Sequence, residues 1–186
     1  MEIDDRPEWV FGYGSLMWRP GFVFEEQCTA TLQGYHRAFC IYSHRYRGTA
    51  ERPGLVLGLD RGGSCTGTGF RIADAEWHGV VDYLNERELV GYAYVPRVLP
   101  ITIGGREVPA YTFVADPDHG QYAGDLGLER SAEIIMAATG IMGLNRDYLI
   151  NTVRELEAHG FQDNEQHELL QRVALLTGLI DQGGGI

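Results

Sequence analysis

The sequence predicts an α+β fold, with strands first and helices last. Strand-like runs fill residues 9–115, interrupted by one amphipathic helix. Helical periodicity fills residues 128–176. Such segregation along the chain points away from the strict alternation of a βαβ fold. At 186 residues with 44% hydrophobic content, the chain is expected to form one globular domain over residues 9–178.

Residues 1–8 read as an acidic, flexible leader. Trp9–Leu16 is the first strand and its turn, because apolar Trp9-Val10-Phe11 breaks into Gly12-Tyr13-Gly14-Ser15. Phe22–Gln27 is polar and irregular, and Ala30–Tyr42 holds aromatic and β-branched residues around Gly34 in one or two strands. Ser43–Pro53 is an arginine-rich loop. Leu55–Leu59 and Cys65–Ile72 read as a hairpin turning at Asp60-Arg61-Gly62-Gly63.

Asp74 is the expected N-cap of the first helix. Trp77, Val80, Val81, Leu84 and Glu88 follow at spacings that share one face, and Gly91 is the expected stop. A second hairpin, Tyr92–Ile103 and Glu107–Ala115, turns at Gly104-Gly105. After a loop over Asp116–Gly127, Leu128–Thr139 is helical and stops at Gly140. Asn145 is the expected cap of Arg146–His159, and Asp163 with Gln166 resembles a capping box for Asn164–Leu176. The glycine-rich tail, 179–186, is expected to be disordered.

Lys+Arg 15 against Asp+Glu 26 gives a net charge of −11, and every one of the positive residues is arginine. An acidic surface argues against general binding to nucleic acid or anionic membrane. The absence of lysine excludes a lysine Schiff base and a P-loop lysine. Three scattered cysteines, Cys28, Cys40 and Cys65, form neither a disulfide framework nor a CxxC site. With no apolar run of about 20 residues and no signal-like N-terminus, the cytoplasm is the expected compartment.

Two features carry candidate chemistry. Glycines at 12 and 14 let backbone amides converge on an anion, although the same pattern also makes a simple bulge. Glu88 lies on the apolar face of its helix near the C-terminus. Desolvation and the helix dipole both raise a carboxyl pKa there, toward the range of a general acid/base. A glutamate reaching outward to water has the same spacing. Glu86 and Arg87 fall off this face. Arg45, Arg47 and Arg52 form either a solvated loop or an anion collector. The six histidines show no metal spacing. Ser15 lacks the glycine two positions on that a nucleophile elbow needs, and Met17 stands where a dinucleotide fingerprint has its third glycine.

Taken together, FGYGSLMW, YRGTAERPGLVLGL, YLNERELVGY and GLNRDYLINTV resemble the ChaC family of gamma-glutamylcyclotransferases over residues 9–176. The resemblance implies a gamma-glutamylcyclotransferase-like, mixed, barrel-like sheet with flanking helices, and neither a metal nor an organic cofactor. It implies cleavage of glutathione, the small-molecule partner, to 5-oxoproline and cysteinylglycine. Glu88, not Glu86, takes the catalytic position. Gly12, Tyr13, Gly14, Ser15 and Leu16, with Met17 beside them, take the substrate-holding turn, and Tyr148 matches a tyrosine near the site. In such a reaction Arg45 or Arg47 is the expected receiver of the glycine carboxylate. Cyclotransfer on other gamma-glutamyl amino acids or amines uses the same motifs. A non-catalytic gamma-glutamyl-binding module needs the turn but not Glu88.

Overall fold

The computed structural model describes residues 6–89 and 93–178. Its contacts define two compact units, one made of the chain up to Arg37 with Gly58–Asp116, the other of Ala38–Leu57 with Pro117 onward. The strands are β1 (Trp9–Gly12), β2 (Glu26–Ser43), β3 (Gly54–Arg71), β4 (Tyr94–Ile103) and β5 (Arg106–Ala115). They form a closed barrel in the order β1-β3-β2-β4-β5. β1 runs antiparallel to β3, with Gly12 opposite Thr68, and parallel to β5, with Trp9 opposite Ala110. Closure leaves the barrel itself with no terminal strand.

The β4–β5 hairpin matches the sequence expectation. Ile103 faces Arg106 across Gly104 and Gly105, whose φ values of 54° and 81° suit a two-residue turn that follows the strand twist. The hairpin expected at Asp60–Gly63 does not form. β3 is continuous from Gly54 to Arg71. Gly62 (φ 101°) and Gly63 (φ 67°) lie inside it, where glycine can bend a strand as readily as reverse it.

Helix α1 (Trp77–Leu89) closes the core of the first unit. Trp77, Val80 and Leu84 pack with Val10, Leu16, Phe70, Ile72 and Phe113. Asp74 is not its cap. Asp74 lies in a 3-10 turn, Asp74–Glu76, that precedes α1, and its carboxylate pairs with Arg6. Of the leader, residues 6–8 are held in place: Arg6 also lies over the Trp77 ring, and Glu8 O accepts from Ile72 N–H. Residues 1–5, the expected stop Gly91 and the tail 179–186 lie outside the described residues.

The second unit holds α2 (Leu128–Ala137), the short pair β6 (Thr139–Gly140) and β7 (Gly143–Leu144), α3 (Asn145–Ala158) and α4 (Asn164–Leu176). Ile135, Leu149, Val153, Leu156 and Val173 are among its buried apolar side chains. α2 ends earlier than expected, and Gly140 belongs to β6. Asp163 caps α4 as expected, accepting from Gln166 N–H at 3.2 Å. Asn145 does not cap α3. Its amide instead donates to Leu55 O and accepts from Leu55 N–H, both at 2.8 Å. A fully buried asparagine can satisfy one strand residue in this way, and the extended-chain residue Leu144 starts the helix.

Candidate active site

β1 delivers the chain to the turn at Gly12. The carbonyl of Phe11 accepts from Thr112 Oγ1 at 3.0 Å, and that of Tyr13 accepts from Nε of buried Arg37 at 2.5 Å. The chain then folds into a 3-10 turn, Ser15–Met17, in which Met17 N–H bonds Gly14 O at 2.9 Å and Arg19 N–H bonds Ser15 O at 2.7 Å. The amides of Ser15 and Leu16 precede that first internal bond, as the leading amides of any helical turn do. Leu16 and Met17 bury their side chains and anchor the turn, whereas Ser15 is exposed.

Helix α1 brings the second half of the site. The Glu88 side chain is 19% exposed. Burial pushes its carboxyl above the usual carboxylate range, and the neighbouring Arg87 cation opposes that shift. The Nε of Arg87 lies 3.5 Å from Glu88 Oε1. Arg87 also donates to Ser15 Oγ at 2.9 Å and to the carbonyl of Arg19 at 2.6 Å. Further donations go to the carbonyl of Pro20 at 3.2 Å and to Tyr83 OH at 3.1 Å. One turn earlier on α1, Asn85 Oδ1 accepts from Tyr111 OH at 2.7 Å, and burial raises the Tyr111 pKa.

The first unit therefore brings together the predicted turn and the helix end that carries Glu88. Sequence reasoning placed Arg87 off the apolar face and missed its attachment to the turn. An i, i+4 pairing with Tyr83 was the available signal, and it did not reveal partners near residue 15. The Tyr111–Asn85 pair was likewise not legible, because strand and helix meet only in the fold.

The remaining predicted residues belong to the second unit. The guanidinium of Arg47 lies 5.5 Å from the Tyr148 ring centroid and donates to Leu144 O at 3.1 Å. That of Arg45 lies over Tyr46 at 5.7 Å. Tyr148 OH accepts from Leu57 N–H at 3.3 Å, and its ring packs edge-on against Phe39. The loop carrying these arginines is tied to the β6–β7 turn, where Ile141 and Met142 donate their amides to the carbonyls of Arg45 and Tyr46.

This combination of barrel and helices is the gamma-glutamylcyclotransferase fold. A crystal structure described as a yeast gamma-glutamylcyclotransferase specific to glutathione superposes with a TM-score of 0.78 at 20% identity, covering 95% of this chain and 98% of that one. The chain belongs to the ChaC-like family, whose sequence model, described as ChaC-like protein, matches residues 8–176. It is 40% identical over 174 residues to the glutathione-specific gamma-glutamylcyclotransferase of Escherichia coli strain K12, spanning 93% of this chain and 75% of that protein. It is 31% identical to glutathione-specific gamma-glutamylcyclotransferase 1 of Danio rerio, over 91% of this chain and 89% of that protein.

Proposed function

We propose that this chain is a gamma-glutamylcyclotransferase that cleaves glutathione to 5-oxoproline and cysteinylglycine, with Glu88 as general acid/base. The observation that carries the reading is the largely buried Glu88 on a helix end bonded, through Arg87, to the Gly12–Met17 turn. The names of its relatives support the substrate.

The reaction is an intramolecular aminolysis. The α-amine of the glutamyl group attacks its own γ-carbonyl carbon, closing the five-membered ring as the bond to the cysteine nitrogen breaks. The attacking nitrogen begins as an ammonium and sheds two protons on its way to the ring amide. The departing nitrogen gains two and leaves as a protonated amine. Glu88 takes a proton from the first nitrogen and delivers one to the second, while water balances the other proton. Burial suits Glu88 to this exchange, because it brings the carboxyl pKa closer to neutrality.

The turn folds the flexible glutamyl chain into its ring-closing pose, where near-attack geometry supplies much of the rate. The Ser15 and Leu16 amides and the Ser15 hydroxyl hold the α-carboxylate or the developing oxyanion. Ser15 binds by hydrogen bonding, and no enzyme nucleophile takes part. The proposed roles of Arg45, Arg47 and Tyr148 in holding substrate rest on their sequence positions.

Incubation of the protein with glutathione, followed by mass spectrometry, should yield equimolar 5-oxoproline and cysteinylglycine. Parallel arms with gamma-glutamylalanine and gamma-glutamyl-lysine define the substrate range. Intact glutathione bound tightly in calorimetry would reveal a binding module instead.

A further inference from the structure

We propose that Arg87 is a positioning residue for this reaction, latching the Gly12–Met17 turn to the end of α1 and aiming the Ser15 hydroxyl proton at the substrate. The inference rests on the proposed cyclotransferase function and adds a role for a residue that has none in the mechanism above.

All three guanidinium nitrogens are engaged. One terminal nitrogen shares its two N–H protons among the carbonyls of Arg19 and Pro20 and the hydroxyl of Tyr83. The other serves Ser15 Oγ, and Nε faces Glu88. A planar fork of fixed donors can hold such a set at once, whereas an ammonium on a flexible stem cannot. The chain follows the fork closely. Gly21, with φ 73°, passes so near Tyr83 that any Cβ would overlap the hydroxyl. The exit of the turn is thus clamped between Tyr83 and Arg87, which stand one helical turn apart on α1.

Ser15 gains a direction from this arrangement. A hydroxyl has one donor and two acceptor sites. Arg87 cannot accept, so its bond to Ser15 Oγ occupies an acceptor site and leaves the Ser15 proton to donate elsewhere. Ser15 is exposed, and the proton is available to a carboxylate or carbonyl oxygen of the substrate. The same cation faces Glu88, so one side chain sets the geometry of the turn and the charge beside the acid/base.

Arg87→Lys keeps the charge and loses the fork, whereas Arg87→Met loses both. Arg87→Lys should raise KM for glutathione by about tenfold or more, the scale of one charge-assisted hydrogen bond, with a smaller change in kcat. Its acidic limb in the pH profile of kcat/KM should not move. Arg87→Met should raise KM similarly and shift that limb to higher pH, since the Arg87 charge lowers the Glu88 pKa. Ser15→Ala added to Arg87→Lys should cost little more than Arg87→Lys alone. The Met17 and Arg19 amides, which close the turn, should exchange with deuterium about tenfold faster in both Arg87 variants. Arg130→Gln, at an exposed pair with Glu133, is the control and should match the parent.

Parental KM and parental exchange in Arg87→Lys would overturn the latch, as would full additivity with Ser15→Ala. If Arg87→Met does not fold, Arg87→Lys decides the question. If the parent releases no 5-oxoproline, the function fails, while amide exchange still decides whether Arg87 holds the turn.

Discussion

Arg87 donates to Ser15 Oγ at 2.9 Å across 72 positions of sequence. This bond ties a turn at the start of the chain to the helix residue that directly precedes Glu88.

Glu88→Gln should keep the fold and substrate affinity yet lower kcat by about 10²–10⁴, the usual contribution of a positioned acid/base. Glu86, exposed on the other side of α1, provides the comparison: Glu86→Gln should retain parental turnover. The measurement is 5-oxoproline release at saturating glutathione. Parental turnover by Glu88→Gln would remove Glu88 from the mechanism.

The same substitution should change how stability depends on pH. Burial raises the Glu88 pKa in the folded protein. The folded state therefore binds more protons than the unfolded state between the ordinary carboxylate pKa and the raised one. Stability falls as pH climbs through that window. Gln mimics the protonated form and does not titrate. Glu88→Gln should thus match the parent in acid and exceed it in thermal stability near neutrality. A difference that is constant across pH would contradict the burial argument.

Asn145→Ala removes both partners of Leu55, and both residues are fully buried. Two backbone groups are left without partners, at a cost of roughly 2–5 kcal/mol. Denaturant titration should show a lower midpoint at unchanged slope. A loss below about 0.5 kcal/mol, the range of an ordinary surface substitution, would show that water or relaxation replaces the clamp.

His167 joins α3 to α4. Its Nδ1 faces Asp163 O at 2.9 Å and its Nε2 faces Glu157 Oε1 at 2.5 Å. Both acceptors require N–H donors, so the pair favours the imidazolium. The Asp163 carbonyl and then Glu157 raise the pKa. A raised histidine stabilises fully below its ordinary pKa of about 6.5, and the benefit disappears as pH rises through the higher folded value. His167→Gln should therefore lower the melting temperature in mild acid and leave it nearly parental in alkali. Equal losses at both pH values would assign the effect to packing.

Several elements were legible because they depend on near neighbours. Gly104-Gly105 between two apolar runs sufficed for the β4–β5 hairpin, and Asp163 with Gln166 sufficed for the start of α4. The spacing of Trp77, Val80, Leu84 and Glu88 placed a carboxyl on the buried side of α1. Gly62-Gly63 and Asn145 misled for the converse reason. A glycine pair permits a bend or a reversal, and an asparagine can cap its own helix or bond elsewhere. In each case, a distant partner decides.

The α+β order, the turn at Gly12–Leu16, the helix face of Glu88 and the family motifs are legible in the chain without its fold. All of these are set by periodicity and by the backbone freedom of particular residues over short distances. Tertiary structure alone decided the barrel order, the parallel closure of β1 on β5, the clamp of Asn145 on Leu55 and the reach of Arg87 to Ser15. Hydrogen bonds across many tens of residues have no periodic trace in the chain, because their partners become neighbours only when the core packs.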